Sequence, residues 1–236
     1  MKANLVGTLL AIALLGASGK WSAAAAQEVA AGEFDFFGDA FVLQLEEERT
    51  HPTVMVDLAD GEQQAFILDT GASVHVIDSG IAEALGYEVI GELEIGAPGG
   101  NQVPGKIVRV PLASIGDAMI KNAEFVTMDF NEFSNGQFQG VLGTRLFQEH
   151  LLTLDLANGQ MTVSRGSLSA GDSNVDTYED VDSHIRVNVD IAGTRVPSHI
   201  DTGSMGGFTF PAELKRSLPL LEPAQRQVTA LSLIHI

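Results

Sequence analysis

Phe66-Ile-Leu-Asp-Thr-Gly-Ala-Ser73 is an apolar run that ends on a carboxylate and turns at once through Thr and Gly. Strand-forming residues followed by Asp and Gly read as a strand running into a tight turn. A second copy, Ser198-His-Ile-Asp-Thr-Gly-Ser204, has the same layout. One such tripeptide is weak evidence, but here the segments ahead of the two copies also correspond. Val56-Asp-Leu58 matches Val189-Asp-Ile191, Gly61 matches Gly193, and the turns differ in length by one residue. An internal repeat of this kind predicts two lobes built on one plan.

Each residue of the tripeptide has a physical task if the two copies meet. Gly71 and Gly203 let two backbones approach closely, because neither carries a Cβ. Thr70 and Thr202 supply hydroxyls that can bond across an interface. Asp69 and Asp201 then present two carboxyls within hydrogen-bond reach of each other. Two carboxyls that close do not both ionise cheaply, so the pair holds one proton over a range of acidic pH. One member pulls a proton from water while the other donates to a carbonyl oxygen. That chemistry needs no metal, no cofactor and no covalent intermediate. The sequence offers no H-E-x-x-H, no G-x-S-x-G and no Cys as an alternative.

The flanks bound the setting. Residues 1–26 combine Lys2, an apolar run from Leu5 to Leu15 and small residues ending near Ala26, the layout of a signal peptide. The reading is therefore an exported protein, periplasmic or secreted, with no membrane attachment after cleavage. With no cysteine, stability rests on core burial. The net charge of −18 becomes −20 when Lys2 and Lys20 leave with the leader. Such a surface argues against nucleic acid as a partner.

Short apolar runs and turn signals about every ten residues predict an all-β chain with few helices. Expected strands are 53–58, 64–68, 92–95, 106–110, 123–128, 151–156 and 160–164, with short helices at 79–85 and 144–149. Residues 27–50 form an N-terminal segment, 51–166 a first lobe, 167–183 an acidic linker and 184–236 a partial second lobe. Phe34-Asp-Phe-Phe37 reads as an N-terminal strand or staple packed on the first lobe. His75 and His199 lie near the two turns without metal-ligand spacing, so packing or solvation is the expectation. Arg145 reads as a surface residue.

Taken together, these residues resemble the retropepsin-like and pepsin-like aspartic proteases. The resemblance is carried by Phe66 to Ser73, by the glycine-rich Gly96-Ala-Pro-Gly-Gly-Asn-Gln-Val-Pro-Gly105, and by Val141-Leu142-Gly143. It implies the acid-protease fold, with one complete lobe and a second that looks truncated. It also implies a flap at Gly96, Ala97, Pro98, Gly99 and Gly100, a loop element at Val141, Leu142 and Gly143 beside the catalytic turn, and a polypeptide substrate. Asp69 and Asp201 are the expected catalytic residues, with Thr70, Gly71, Ala72, Thr202, Gly203 and Ser204 in support. After Asp201 the sequence holds 35 residues (236 − 201), too few for a second flap and loop element. Two alternatives stay open: a peptide-binding protein with a degenerate second lobe, and a homodimer that uses Asp69 from each chain. Ser204 stands where the first copy has Ala72, and its hydroxyl predicts that Asp201 is the ionised member and Asp69 the proton holder.

Overall fold

The computed structural model describes residues 6–8, 12–13, 29–46, 51–96, 102–181 and 184–204. In chain order the strands are β1 (Val6–Thr8), β2 (Ile12–Ala13), β3 (Glu33–Asp35), β4 (Ala40–Gln44), β5 (Thr53–Asp57), β6 (Gln63–Asp69) and β7 (His75–Asp78). They continue as β8 (Glu88–Gly96), β9 (Gln102–Ile115), β10 (Ala118–Met128), β11 (Gly140–Gly143), β12 (Leu151–Asp155), β13 (Gln160–Ser164), β14 (Glu179–Val181), β15 (His184–Ile191) and β16 (Thr194–Ile200). Two short helices, α1 (Ser79–Ala84) and α2 (Phe130–Phe133), and a 3-10 turn at Thr144–Phe147 complete the described elements. The described elements are overwhelmingly β, as the short apolar runs predict.

The main sheet runs β3-β10-β7-β11-β6-β5-β9-β8, and pairing of β9 with β10 closes its middle strands into a barrel. β6 explains the unbroken apolar run that leads to Asp69. Side chains alternate between the faces of a strand, and both faces of β6 are covered. Phe66 and Leu68 enter one core with Val54, Ile77, Phe125, Leu142 and Phe147. Ala65 and Ile67 enter the other with Val76, Ile95, Ile107, Val126 and Val141. Two-sided burial fixes the register, because a one-residue slip would exchange the two cores.

A smaller sheet, β1-β12-β13-β4, and a third, β14-β15-β16-β2, flank the barrel. β1 and β2 lie within the stretch read as a leader, and each occupies an outer edge of its sheet. The β15–β16 hairpin pairs Val187 with Ser198 and Val189 with Val196, much as β5–β6 pairs Val54 with Phe66 and Val56 with Gln64.

Several expected boundaries move. The hairpin expected to turn over residues 96–105 keeps its ladder to Gly96↔Gln102, so both strands are longer than the apolar runs suggested. The part of β8 ahead of the expected strand holds a register irregularity between Val89 and Gly91, which breaks the alternation there. The expected helix at 144–149 is a 3-10 turn ending at Phe147, anchored by buried Leu146 and Phe147. Glu179–Val181, placed in the acidic linker, pairs with β15. α2 and the strands β3 and β4 complete what the periodicity missed or left vague. Phe34 and Phe36 point into the core, whereas Phe37 is 99% exposed.

Candidate active site

Asp69 ends β6 and Asp201 follows β16, and the two turns meet face to face. Their contact is a closed set of four hydrogen bonds. The Thr70 hydroxyl donates to the Ile200 carbonyl at 2.7 Å and accepts from the Thr202 N–H at 3.0 Å. Reciprocally, the Thr202 hydroxyl donates to the Leu68 carbonyl at 2.6 Å and accepts from the Thr70 N–H at 3.1 Å. Both threonines are buried, so each bond replaces one that water no longer supplies.

The glycines set the distance between the carboxyls. A Cβ on Gly71 would stand 2.8 Å from Cγ and 2.9 Å from Oδ1 of Asp201. A Cβ on Gly203 would overlap the Asp69 carboxyl. Each aspartate therefore packs against the glycine of the opposite turn. Each also accepts from its own: Gly71 N–H donates to Asp69 Oδ1 at 2.7 Å, and Gly203 N–H to Asp201 Oδ1 at 2.9 Å.

The carboxyls are 3% and 0% exposed. Burial raises Asp69 above the ordinary carboxylate range, opposed by donors at Gly71, Asp201 and Gly203. Asp201 is pushed up to about 8, first by burial, then by the negative charge of Asp69 and their mutual hydrogen bond. Asp201 Oδ2 is buried without a hydrogen-bond partner of good geometry. Both carboxyls are therefore pushed toward the protonated form, and the pair retains a proton above the ordinary carboxylate range. The Ser204 N–H does favour the charged form of Asp201, but burial and the facing carboxylate outweigh it.

β11 supports the first turn. It runs parallel to β6 with Gly143 beside Asp69, and a Cβ on Gly143 would stand 2.7 Å from the Ala72 carbonyl oxygen. Val141 and Leu142 are buried on opposite sides of this strand, in the two separate cores. Gly143 N–H donates to His75 Nδ1 at 3.1 Å, while His75 Nε2 lies 2.9 Å from the Ala31 carbonyl. A carbonyl accepts only, so Nε2 carries the proton and His75 is neutral. Burial lowers its pKa to about 4. His75 is thus a packed residue that links the N-terminal segment to the Val-Leu-Gly element.

Of the other expected positions, Gly96 ends β8, while Ala97, Pro98, Gly99 and Gly100 lie outside the described residues. Ala72 is buried behind the first turn, and His199 is 3.4 Å from the Arg186 guanidinium. A groove of about 910 Å³ runs along the outer side of the β8–β9 hairpin past α1, away from the aspartates. Among the described residues no three acidic or histidine side chains converge as metal ligands. No described helix is long and apolar enough to cross a membrane.

One residue beside the pair was not anticipated. His51 precedes β5, is 9% exposed, and stands where Asp69 and the Gly203 backbone both act on its ring. Its position follows from pairing of β5 with β6, but no motif marks it.

Comparison with family models bears on the first of the two turns. A family model described as aspartyl protease matches residues 43–146. Among solved structures, a retropepsin-like aspartic protease from Rickettsia conorii is 15% identical, with 64% of this chain and 99% of that chain covered and a TM-score of 0.38. Comparison with curated proteins finds no match. Residues 43–146, which hold the first Asp-Thr-Gly turn, are thus similar to the aspartyl protease family.

Proposed function

We propose that the protein is an aspartic endopeptidase in which Asp69 and Asp201 of one chain form the working pair. The observation that carries this reading is the reciprocal Thr70–Thr202 bonding, with a glycine of each turn packed on the opposite carboxyl. The ionised Asp69 takes a proton from a water whose oxygen attacks the scissile carbonyl carbon. Protonated Asp201 gives its proton to the carbonyl oxygen, leaving a neutral diol. Collapse of the diol breaks the C–N bond as a carboxyl proton passes to the leaving nitrogen. Burial of both carboxyls supports this chemistry, since it keeps one proton on the pair well above the pH at which a free carboxylate loses it.

The substrate on this reading is an extended polypeptide cut between apolar residues. The leader at residues 1–26 supports action in the periplasm or outside the cell. Cleavage there would remove only edge strands β1 and β2, leaving every other described pairing in place.

The test is cleavage of a quenched-fluorescence peptide library between pH 3 and 7 by the wild-type chain and by Asp69→Asn and Asp201→Asn. Loss of turnover in both variants is expected. Loss with Asp69→Asn alone would replace the single-chain pair by a homodimer of first lobes. Peptide binding without turnover in the wild type would replace catalysis by binding.

A further inference from the structure

His51 sits at the meeting point of the three pieces that make the proposed site. The first is β5, which it precedes: the Thr53 hydroxyl donates to the His51 carbonyl at 2.8 Å, and the next carbonyl, of Pro52, accepts from Leu68 N–H at 2.8 Å. Leu68 is the residue before Asp69, so the backbone around His51 is tied directly to the strand that aims the first carboxyl. The second is Phe138, just before β11, whose ring meets the imidazole edge to face at 5.6 Å between centroids. The third is the second turn, whose Gly203 backbone lies close enough to act on the imidazole. Gly203 is the residue that packs on the Asp69 carboxyl and donates to Asp201.

We propose that His51 is a positioning residue for the peptidase reaction: its ring ties the first lobe to the second catalytic turn and, when protonated, sets a positive charge beside Asp69 that keeps that carboxylate ionised. The proposal rests on the protease reading of the same site. Asp69 is a charged group that acts on His51, while Phe138 presents an aromatic ring and Gly203 its backbone. Burial holds the imidazole below its ordinary value of 6.5, while Asp69 and Gly203 pull it back up. Asp69 responds in turn, with the His51 charge lowering a pKa that burial raises. The coupling is reciprocal, as any linkage between two titrating sites must be. It operates on the acidic side of neutrality, where the pair has its single proton.

Two substitutions separate the tie from the charge. His51→Gln keeps a donor for Gly203 but cannot become cationic, and His51→Leu loses both. Both variants need a higher pH to ionise Asp69, so the acidic limb of kcat/KM should move up by about half a pH unit or more. The glutamine variant should retain more of kcat than the leucine variant, because it keeps a polar group facing the second turn. In parallel, an NMR titration of the His51 ring in the wild type and in Asp69→Asn reads the coupling without turnover. The His51 midpoint should fall when the carboxylate is removed. An acidic limb that stays in place in both variants, with kcat alone reduced, would overturn the charge role and leave only packing. An unmoved His51 midpoint in Asp69→Asn would overturn it independently. If the wild-type chain cleaves no peptide, the protease reading falls, and a midpoint that still shifts shows the His51–Asp69 coupling to exist outside catalysis.

Discussion

Replacing Thr70 by Val removes one oxygen and adds a methyl group of nearly the same size, so it tests the inter-turn bonds with little change in packing. Two groups lose their partner: the Ile200 carbonyl, 2.7 Å from the hydroxyl, and the Thr202 N–H, 3.0 Å from it. Both residues are buried, and water does not substitute without opening the turns. An unsatisfied buried polar group costs about 1–3 kcal/mol, so the expected loss is about 3 kcal/mol, near the low end for two groups. Urea unfolding at pH 5 reads this as a lower midpoint at unchanged slope. Thr70→Ser retains the oxygen and should lie within about 1 kcal/mol of the wild type. The double variant Thr70→Val with Thr202→Val should cost less than the sum of the single changes, because the second loss acts on turns already parted. A Thr70→Val chain within about 0.5 kcal/mol of the wild type would show that the four bonds are not what holds the turns together.

Further expectations concern the buried titrating groups and the glycines. Asp201 has its pKa raised to about 8, so the folded state binds a proton that the unfolded state releases near 4. Its contribution to stability is complete below about 4 and is lost as pH rises to about 8; Asp201→Asn should flatten that part of a melting-temperature profile. His75, lowered to about 4, behaves oppositely: its contribution is present above about 6.5 and is lost as pH falls through 4. Charging it removes the acceptor for Gly143 N–H, so hydrogen exchange at Gly143 should accelerate at pH 4 in the wild type. Gly140→Ala drives a methyl group into the Phe66 ring and the Val76 carbonyl, and should leave little folded protein by circular dichroism.

How much of this was legible in the sequence follows from how local each signal is. The Asp-Thr-Gly turns announced themselves because strand, carboxylate and glycine are adjacent in the chain. The two-sided burial of β6 was legible for the same reason, as an unbroken apolar run. β8 was read short because its first residues, Glu88 to Gly91, carry a register irregularity between Val89 and Gly91 that breaks the alternation, and the 3-10 turn at Thr144–Phe147 was overestimated because one apolar turn looks like the start of a helix. Residues that act through distant neighbours gave no signal. His51 acquires its place only when β5 pairs with β6 and the second turn arrives against it. The rise of both carboxyls had no local signal either: Ser204 is a local clue, while burial and the facing carboxyl are products of the assembled fold.

The bonds between the two turns join residues 132 positions apart in the chain. In a chain made from its N-terminus, the barrel around Asp69 is synthesised before Asp201 exists to face it. Until β15 and β16 have formed, Asp69 lacks the turn whose Gly203 packs on its carboxyl and helps to bury it. Closing so large a loop is expected to be slower than forming the local hairpins, so the pair is expected to assemble after the barrel. On that expectation the fold carries its own delay, with the carboxyls paired only on a molecule whose barrel is already built.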